Sequence, residues 1–160
     1  MIISVLLNHS LSSSDKLSLI IPQIIAVLII LFLILPLHEL AHGWVAYKFG
    51  DRTAKNAGRL TFNPLVSIDP WGALMILLFG FGWARPVPVN PNNFKNPRVG
   101  MAVTAAAGPI SNFLAALIGA FIYVSVLVGS GFSVSQLSFG MELLWTFIAI
   151  NISLAVFNLI

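Results

Sequence analysis

The stretch LSLIIPQIIAVLIILFLILPLHELAHGWVAYKFG (residues 17–50) decides the fold. Residues 17–37 carry no charge, and a run of about 20 apolar residues is long enough to cross a bilayer as a helix. Directly after this run the sequence presents His38, Glu39 and His42. Ionisable side chains at membrane depth cost several kcal/mol unless they pair or bind a ligand, so this cluster needs a chemical explanation.

The composition indicates a membrane protein. The 160 residues are 58% hydrophobic and 8% charged, whereas soluble domains carry about 25% charged residues. Because the chain has no cysteine, a disulfide framework and a thiolate metal site are excluded, and any metal must be held by His, Asp, Glu or water. The net charge of +3 does not indicate nucleic-acid binding, and no such partner is expected.

The apolar segments predict an all-α polytopic membrane protein with about three transmembrane helices. The segment WGALMILLFGFGW (residues 71–83) is too short to span, so we expect a re-entrant, partly extended hairpin on the cytoplasmic side. Residues 129–140 are predicted to form a turn. The predicted boundaries are residues 17–49 for the first span, 58–98 for the cytoplasmic and re-entrant region, 101–129 for the second span and 143–160 for the third, within one unit over residues 1–160.

Local signals refine the first span and its orientation. Pro36 removes one backbone hydrogen bond, so a kink is predicted just before the ionisable cluster. Gly50 is suited to end the helix. All but one of the Lys and Arg residues lie between residues 48 and 98, and the positive-inside rule therefore places this region in the cytoplasm.

The spacing of the ionisable cluster points to a metal. Side chains four residues apart lie on one face of a helix, so His38 and His42 can direct ring nitrogens at a single ion. Glu39 can then reach a water bound to that ion, which is the H-E-x-x-H arrangement for zinc-assisted peptide hydrolysis. The alternative is a polar His–Glu–His network that packs helices together.

The remaining acids do not complete a zinc site, which normally takes three protein ligands in enzymes. Asp51 follows the first helix and is interpreted as a solvated loop charge, while Asp69 is expected to organise a turn. His9, in a Ser-rich segment, is expected to be exposed. We therefore expect the third zinc ligand to be missing from these residues.

The sequence resembles the site-2 protease family of intramembrane zinc metalloproteases, especially compact bacterial and archaeal members. The resemblance covers about residues 17–160 and rests on five segments in order. These are HELAHGWVAYKFGD, GRLTFNPLVSIDPWG, GWARPVPVNPNNFKNPRVGM, AAAGPISNFLAAL and NISLAVFNLI. One departure is Ser67, at a position where many relatives carry a histidine.

The resemblance implies one zinc ion per chain, held by His38 and His42, with Glu39 as the general base. It implies a third ligand, an aspartate in an Asp-Gly motif after an Asn-x-x-Pro stretch. Here VFNLI resembles the start of that stretch, and the sequence resembles a fragment that ends before the motif. It also implies a location in a prokaryotic plasma membrane and a transmembrane protein or peptide as substrate.

Two motifs remain open in function. Gly108, Pro109 and Asn112 form a G-P-x-x-N feature that suits close helix packing, or a role beside the active site in positioning substrate or an oxyanion. RPVPVNP (residues 85–91) suits a proline-stiffened loop, or an edge strand that holds an unwound substrate by β-augmentation.

Two other functions compete with proteolysis. One is a non-catalytic membrane adaptor that keeps the fold without the chemistry, which applies if the protein ends at Ile160. The other is a metal transporter, which predicts further intramembrane acids or histidines. Residues 99–141 carry no charged side chain and no histidine, which disfavours transport. The sequence does not indicate the substrate's identity or the oligomeric state.

Overall fold

The computed structural model describes residues 1–130 and 138–159. Most of the predicted turn at residues 129–140 lies outside the described residues. No β-strand occurs in the described part of the chain, and the predicted all-α fold is confirmed. The α-helices are α1 (Ile2–Leu6), α2 (Ser13–Ile29), α3 (Leu35–Lys48), α4 (Thr53–Asn56), α5 (Pro70–Phe79), α6 (Pro97–Gly129) and α7 (Ser138–Phe157).

The first long helix is continuous but irregular. Helices α2 and α3 are joined by a π-helical turn at Ile30–Ile34, so that helical structure runs over Ser13–Lys48. Since the ring of Pro36 would clash with the carbonyl of Phe32 in a regular α-helix, the wider turn immediately before this proline relieves the conflict. The structure thus has a π-helical turn before the ionisable cluster, while the kink predicted at Pro36 stays a prediction.

Three helices are long and apolar enough to cross a membrane: Ser13–Lys48, Pro97–Gly129 and Phe139–Phe157. Helix α6 packs against both α3 and α7, and α2 packs against α7. A hydrogen bond from Nε2 of Gln23 to Oε1 of Glu142 (2.9 Å) also ties α2 to α7. The protein is an integral membrane protein, as predicted.

The short apolar segment forms a hairpin. Asp69 caps α5 by accepting the N–H of Gly72 (2.9 Å), which confirms the turn expected at this aspartate. Gly80 ends the helix with a φ of 84°, a left-handed conformation that favours glycine. The returning chain crosses so closely that a Cβ on Gly72 would overlap the backbone of Trp83.

An irregular segment leads from this hairpin to α6. We call residues 85–93 the strap. The N–H of Arg85 donates to the carbonyl of Ser67 (2.8 Å), and the guanidinium of Arg59 donates to the carbonyl of Arg85 (2.6 Å). The strap then crosses α3 at Gly43, where a Cβ would lie 3.3 Å from Cγ1 of Val87. Its first end is thus fixed to the segment between α4 and α5, and its middle lies on α3.

Candidate metal and active site

The two motif histidines converge on one point. Nε2 of His38 and Nε2 of His42 lie 3.0 Å apart, with the rings nearly perpendicular. The His38 side chain is buried and that of His42 is half-buried. The four-residue spacing on α3 therefore produces the shared focus that the sequence predicts.

The backbone of α6 fixes the orientation of His42. Nδ1 of His42 lies 2.7 Å from the carbonyl oxygen of Thr104. Because a carbonyl can only accept, Nδ1 carries the proton, and Nε2 of the neutral ring presents a lone pair. Metal-binding histidines commonly donate their second nitrogen in this way.

Helix α6 approaches both rings at a glycine. A Cβ on Gly108 would overlap Nε2 of His42 and would lie 2.5 Å from Nε2 of His38. Any larger residue would therefore displace the two nitrogens. Only glycine at position 108 leaves space for the two histidine rings.

The distance between the two nitrogens is compatible with a shared zinc ion. Zinc–nitrogen bonds of 2.0–2.1 Å at tetrahedral angles separate two ligand nitrogens by about 3.3 Å, close to the 3.0 Å seen here. Within residues 1–130 and 138–159, however, no group of three metal-binding side chains occurs. The residues present fit part of a zinc site, namely two of its protein ligands.

Glu39 faces the same space as His42. Both residues line a cavity of about 380 Å³ between α3, α6 and the strap. The Glu39 side chain is buried, and its Oε2 accepts the N–H of Val87 in the strap (3.1 Å). The Thr104 carbonyl and the Val87 N–H were not predicted, because backbone groups occur at every residue and leave no signal in a sequence.

The G-P-x-x-N feature lies beside the histidines. Asn112 stands one turn beyond Gly108 on α6, and its amide faces the ring of His38. Nδ1 of His38 and both polar atoms of Asn112 are buried without a hydrogen bond among the described residues. Pro109 has no N–H to offer the carbonyl of Ala105, a residue that lines the cavity.

Asp51 corrects an interpretation made from the sequence. Its side chain is 0% exposed, so it is not a solvated loop charge. Gly50, with a φ of 105°, ends α3 and turns the chain so that the N–H of Asp51 donates back to the carbonyl of Ala46 (2.9 Å). This reversal directs the carboxylate to the interior, an outcome that charge alone does not reveal. His9, by contrast, is exposed as expected.

Comparisons with known proteins identify the family of the chain. A family model described as "Peptidase family M50" matches residues 26–147. The chain is 44% identical over 140 residues to "Putative zinc metalloprotease YwhC" of Bacillus subtilis (strain 168), a match that covers 87% of this chain and 63% of that protein. The chain thus spans less than two thirds of that relative's length.

A second relative is more distant. The chain is 30% identical over 87 residues to "Putative zinc metalloprotease Rip2" of Mycolicibacterium smegmatis (strain ATCC 700084 / mc(2)155), covering 51% of this chain and 33% of that protein. No solved structure matches the chain.

Proposed function

We propose, from the premise that this chain belongs to peptidase family M50, that it forms the membrane-embedded core of an intramembrane zinc metalloprotease. Its substrates are other membrane proteins, cleaved at peptide bonds in or near their transmembrane segments. The observation that carries the proposal is the convergence of His38 and His42 on one point beside the cavity lined by Glu39.

The proposed ligands of one zinc ion per chain are Nε2 of His38 and Nε2 of His42. Zinc bound there would polarise the peptide carbonyl and activate water as a nucleophile near neutral pH. Glu39 is the general base: it takes a proton from the attacking water and gives it to the leaving amine. The Val87 N–H holds Oε2 of Glu39 and so orients the carboxylate, whose Oε1 makes no hydrogen bond among the described residues.

The third zinc ligand is proposed to come from an aspartate in a longer chain. Asn158, one residue past the end of α7, lines the same cavity as Glu39 and His42. In a longer chain, residues that follow Asn158 would therefore begin at the wall of the cavity. An aspartate a few residues further on would be within reach of the two histidines.

The G-P-x-x-N feature is proposed to support the metal site. Gly108 lets α6 approach the rings, and Pro109 frees a carbonyl at the cavity. In this proposal the amide oxygen of Asn112 accepts from Nδ1–H of His38 when metal is bound, which would leave Nε2 free to bind the metal, as the Thr104 carbonyl does for His42. Pairing these groups would also remove unpaired polar atoms from the protein interior.

The strap is proposed to bind the substrate backbone. Pro86, Pro88 and Pro91 carry no N–H, and the amides of Arg85, Val87 and Asn90 already donate to protein acceptors. The remaining donor within residues 85–91 is Val89, whose N–H makes no hydrogen bond among the described residues. In an extended chain, residues two apart direct their N–H groups to the same side, so Val89 and Val87 share an edge.

This edge faces the cavity, because Val87 donates to Glu39 and Val89 lines the same space. An unwound peptide that pairs with it would bring its carbonyls next to Glu39. On the opposite edge, Pro86 and Pro88 have no N–H and the N–H of Asn90 is bonded to Asp51, which disfavours pairing outside the site. This favours substrate binding over a purely stiffening role for the prolines.

The orientation of the protein follows from its charges. We propose that residues 48–98 lie in the cytoplasm of a prokaryotic cell, since nearly all Lys and Arg residues are there. The zinc site, at His38 and His42 in α3, then lies within the plasma membrane near its cytoplasmic face. Residues 1–160 form a single unit in this proposal.

The proposal is tested with the full-length protein in detergent and a panel of single-span reporter proteins. Glu39→Gln keeps the shape of the side chain but cannot take a proton, so cleavage should fall by about 10²–10⁴-fold. Zinc content should remain at the wild-type value. Glu142→Gln, which changes a carboxylate on α7 that bonds to Gln23, is the matched control. Full activity of Glu39→Gln would contradict the proposed mechanism.

The competing function is a non-catalytic adaptor of the same fold. It is favoured by the lack of a third metal-binding side chain near the histidines among residues 1–130 and 138–159. An adaptor predicts that the full-length wild-type protein contains no stoichiometric zinc and cleaves no reporter. Zinc at one ion per chain, with cleavage that depends on Glu39, would exclude it.

A further inference from the structure

The carboxylate of Asp51 is the most completely hydrogen-bonded polar group near the cavity. Oδ1 accepts the N–H of Thr53 (3.0 Å), the hydroxyl of Thr53 (2.5 Å) and Nδ2 of Asn93 (2.7 Å). Oδ2 accepts the N–H of Asn90 (2.7 Å). Hydrogen bonds to a charged acceptor are about twice as strong as neutral ones, so these four bonds hold their donors firmly. We call Asp51 and its four donors the clamp.

The four donors come from two separate parts of the chain. Thr53 begins α4, whereas Asn90 and Asn93 belong to the strap, about 40 residues later. The same strap donates its Val87 N–H to Glu39. Asp51 therefore fixes the far end of the segment whose middle contacts Glu39.

Backbone contacts reinforce this connection. A Cβ on Gly50 would lie 3.3 Å from the carbonyl oxygen of Asn93, so the strap comes close to the chain next to Asp51. If the strap moved away, the carboxylate would lose two of its four donors. Because Asp51 has no exposed surface, water could not readily replace them. The closed strap and the buried charge consequently stabilise each other.

We propose that Asp51 is a positioning residue of the active site, which holds the strap in place so that Val87 orients Glu39 and the strap edge faces the cavity. This role rests on the proposed protease function. The clamp itself is a property of the fold and is measurable without substrate.

The test uses hydrogen–deuterium exchange of peptides that cover the strap, in the full-length protein with zinc. In Asp51→Asn, the new amide oxygen takes the Oδ1 position, where three donors point. The NH₂ group then takes the Oδ2 position and faces the N–H of Asn90. Two donors then face each other, so the amides of Asn90 and Val87 should exchange about tenfold faster or more. Exchange at the wild-type rate would overturn the proposal.

Two further variants separate the strap from the rest of the clamp. Asn93→Ala removes a strap donor from an exposed residue and should leave folding intact, while it speeds strap exchange severalfold. Thr53→Val removes the hydroxyl donor on the α4 side, together with the longer hydrogen bond that this hydroxyl accepts from Nδ2 of Asn93 (3.3 Å), so strap exchange should rise less than in Asn93→Ala. Equal effects of these two variants would contradict a specific hold on the strap.

Activity supplies a second readout. Loosening the strap should lower kcat for a reporter while zinc content stays at the wild-type value, because the histidines do not contact Asp51. Loss of zinc in Asp51→Asn would mean general structural damage and would overturn the positioning role. If the wild-type protein cleaves no reporter, the proposed function fails, but the exchange data still decide whether Asp51 holds the strap.

Discussion

Two polar regions next to the cavity differ in whether their buried polar groups are hydrogen-bonded. At the corner after α3, Asp51 accepts four hydrogen bonds from two chain segments. At the crossing of α3 and α6, Nδ1 of His38 and both amide atoms of Asn112 make none among the described residues. Native proteins pair nearly all buried polar groups, so the unpaired groups of the second region support the proposal that it binds a metal, whereas the paired groups of the first region hold the local structure.

The glycine at the α3–α6 crossing gives the largest expected effect. Gly108→Ala places a Cβ on Nε2 of His42 and 2.5 Å from Nε2 of His38. Zinc affinity should fall by about 100-fold or more, since both proposed ligands must move. Overpacking should also destabilise the protein by about 1–3 kcal/mol.

Zinc competition titration and thermal unfolding in detergent measure these two effects. Gly129→Ala is the control, because it changes the same helix at a point where no atom of the described residues lies within 4 Å of the new Cβ. Wild-type zinc affinity in Gly108→Ala would show that α6 does not approach the histidines as described.

Asn112 provides the sharper contrast with Asp51. Asn112→Leu replaces an unpaired buried amide with an apolar side chain of similar size, so stability should be unchanged or slightly higher. Zinc affinity should nevertheless fall by about 10–100-fold, because His38 loses the group proposed to orient it. The combination of preserved stability and weaker zinc binding would distinguish a ligand-supporting residue from a packing residue.

Asn151→Leu is the matched control for Asn112. Asn151 is also a fully buried asparagine in a spanning helix, but its amide donates to the carbonyl of Phe147 one turn earlier (2.9 Å). Its substitution should cost stability and leave zinc affinity unchanged. Equal zinc affinities in both variants would assign Asn112 to packing alone.

The contrast also explains how far the sequence could predict this protein. Hydropathy predicted the spanning helices, and the His–Glu–His spacing predicted the focus on α3, because both depend on properties that repeat along a single helix. The burial of Asp51 was missed, and its interpretation as a solvated charge was wrong. Its environment is set by a strap about 40 residues later and by backbone donors that have no sequence signature.

Val89 tests whether the strap edge binds substrate. Val89→Pro removes one N–H donor from the strap and leaves the Val87 contact to Glu39 in place. One backbone hydrogen bond contributes about 0.5–1.5 kcal/mol, so kcat/KM for a reporter should fall by between about twofold and about tenfold. Zinc content should not change.

The control at this position is Val89→Ala, which shortens the side chain and keeps the N–H. If Val89→Ala and Val89→Pro lowered kcat/KM equally, the side chain rather than the backbone edge would contact the substrate.

The smallest expected effect is the pH dependence of the free energy of unfolding that arises from Asp51. Burial by itself would raise the pKa of the Asp51 carboxyl, but the hydrogen bonds from Thr53, Asn93 and Asn90 outweigh it and hold the pKa below its usual value. The unfolded chain therefore binds this proton more readily than the folded protein. The stabilisation is fully present above the unfolded pKa and is lost as the pH falls through the folded pKa.

The free energy of unfolding, measured by denaturant titration from pH 7 down to pH 3, should consequently fall more steeply in wild type than in Asp51→Asn. Loss of zinc through protonation of histidine affects both proteins alike and cancels in their difference. Parallel curves would show that the carboxylate gains nothing from its four donors, and the corner would then hold the strap through shape rather than through charge.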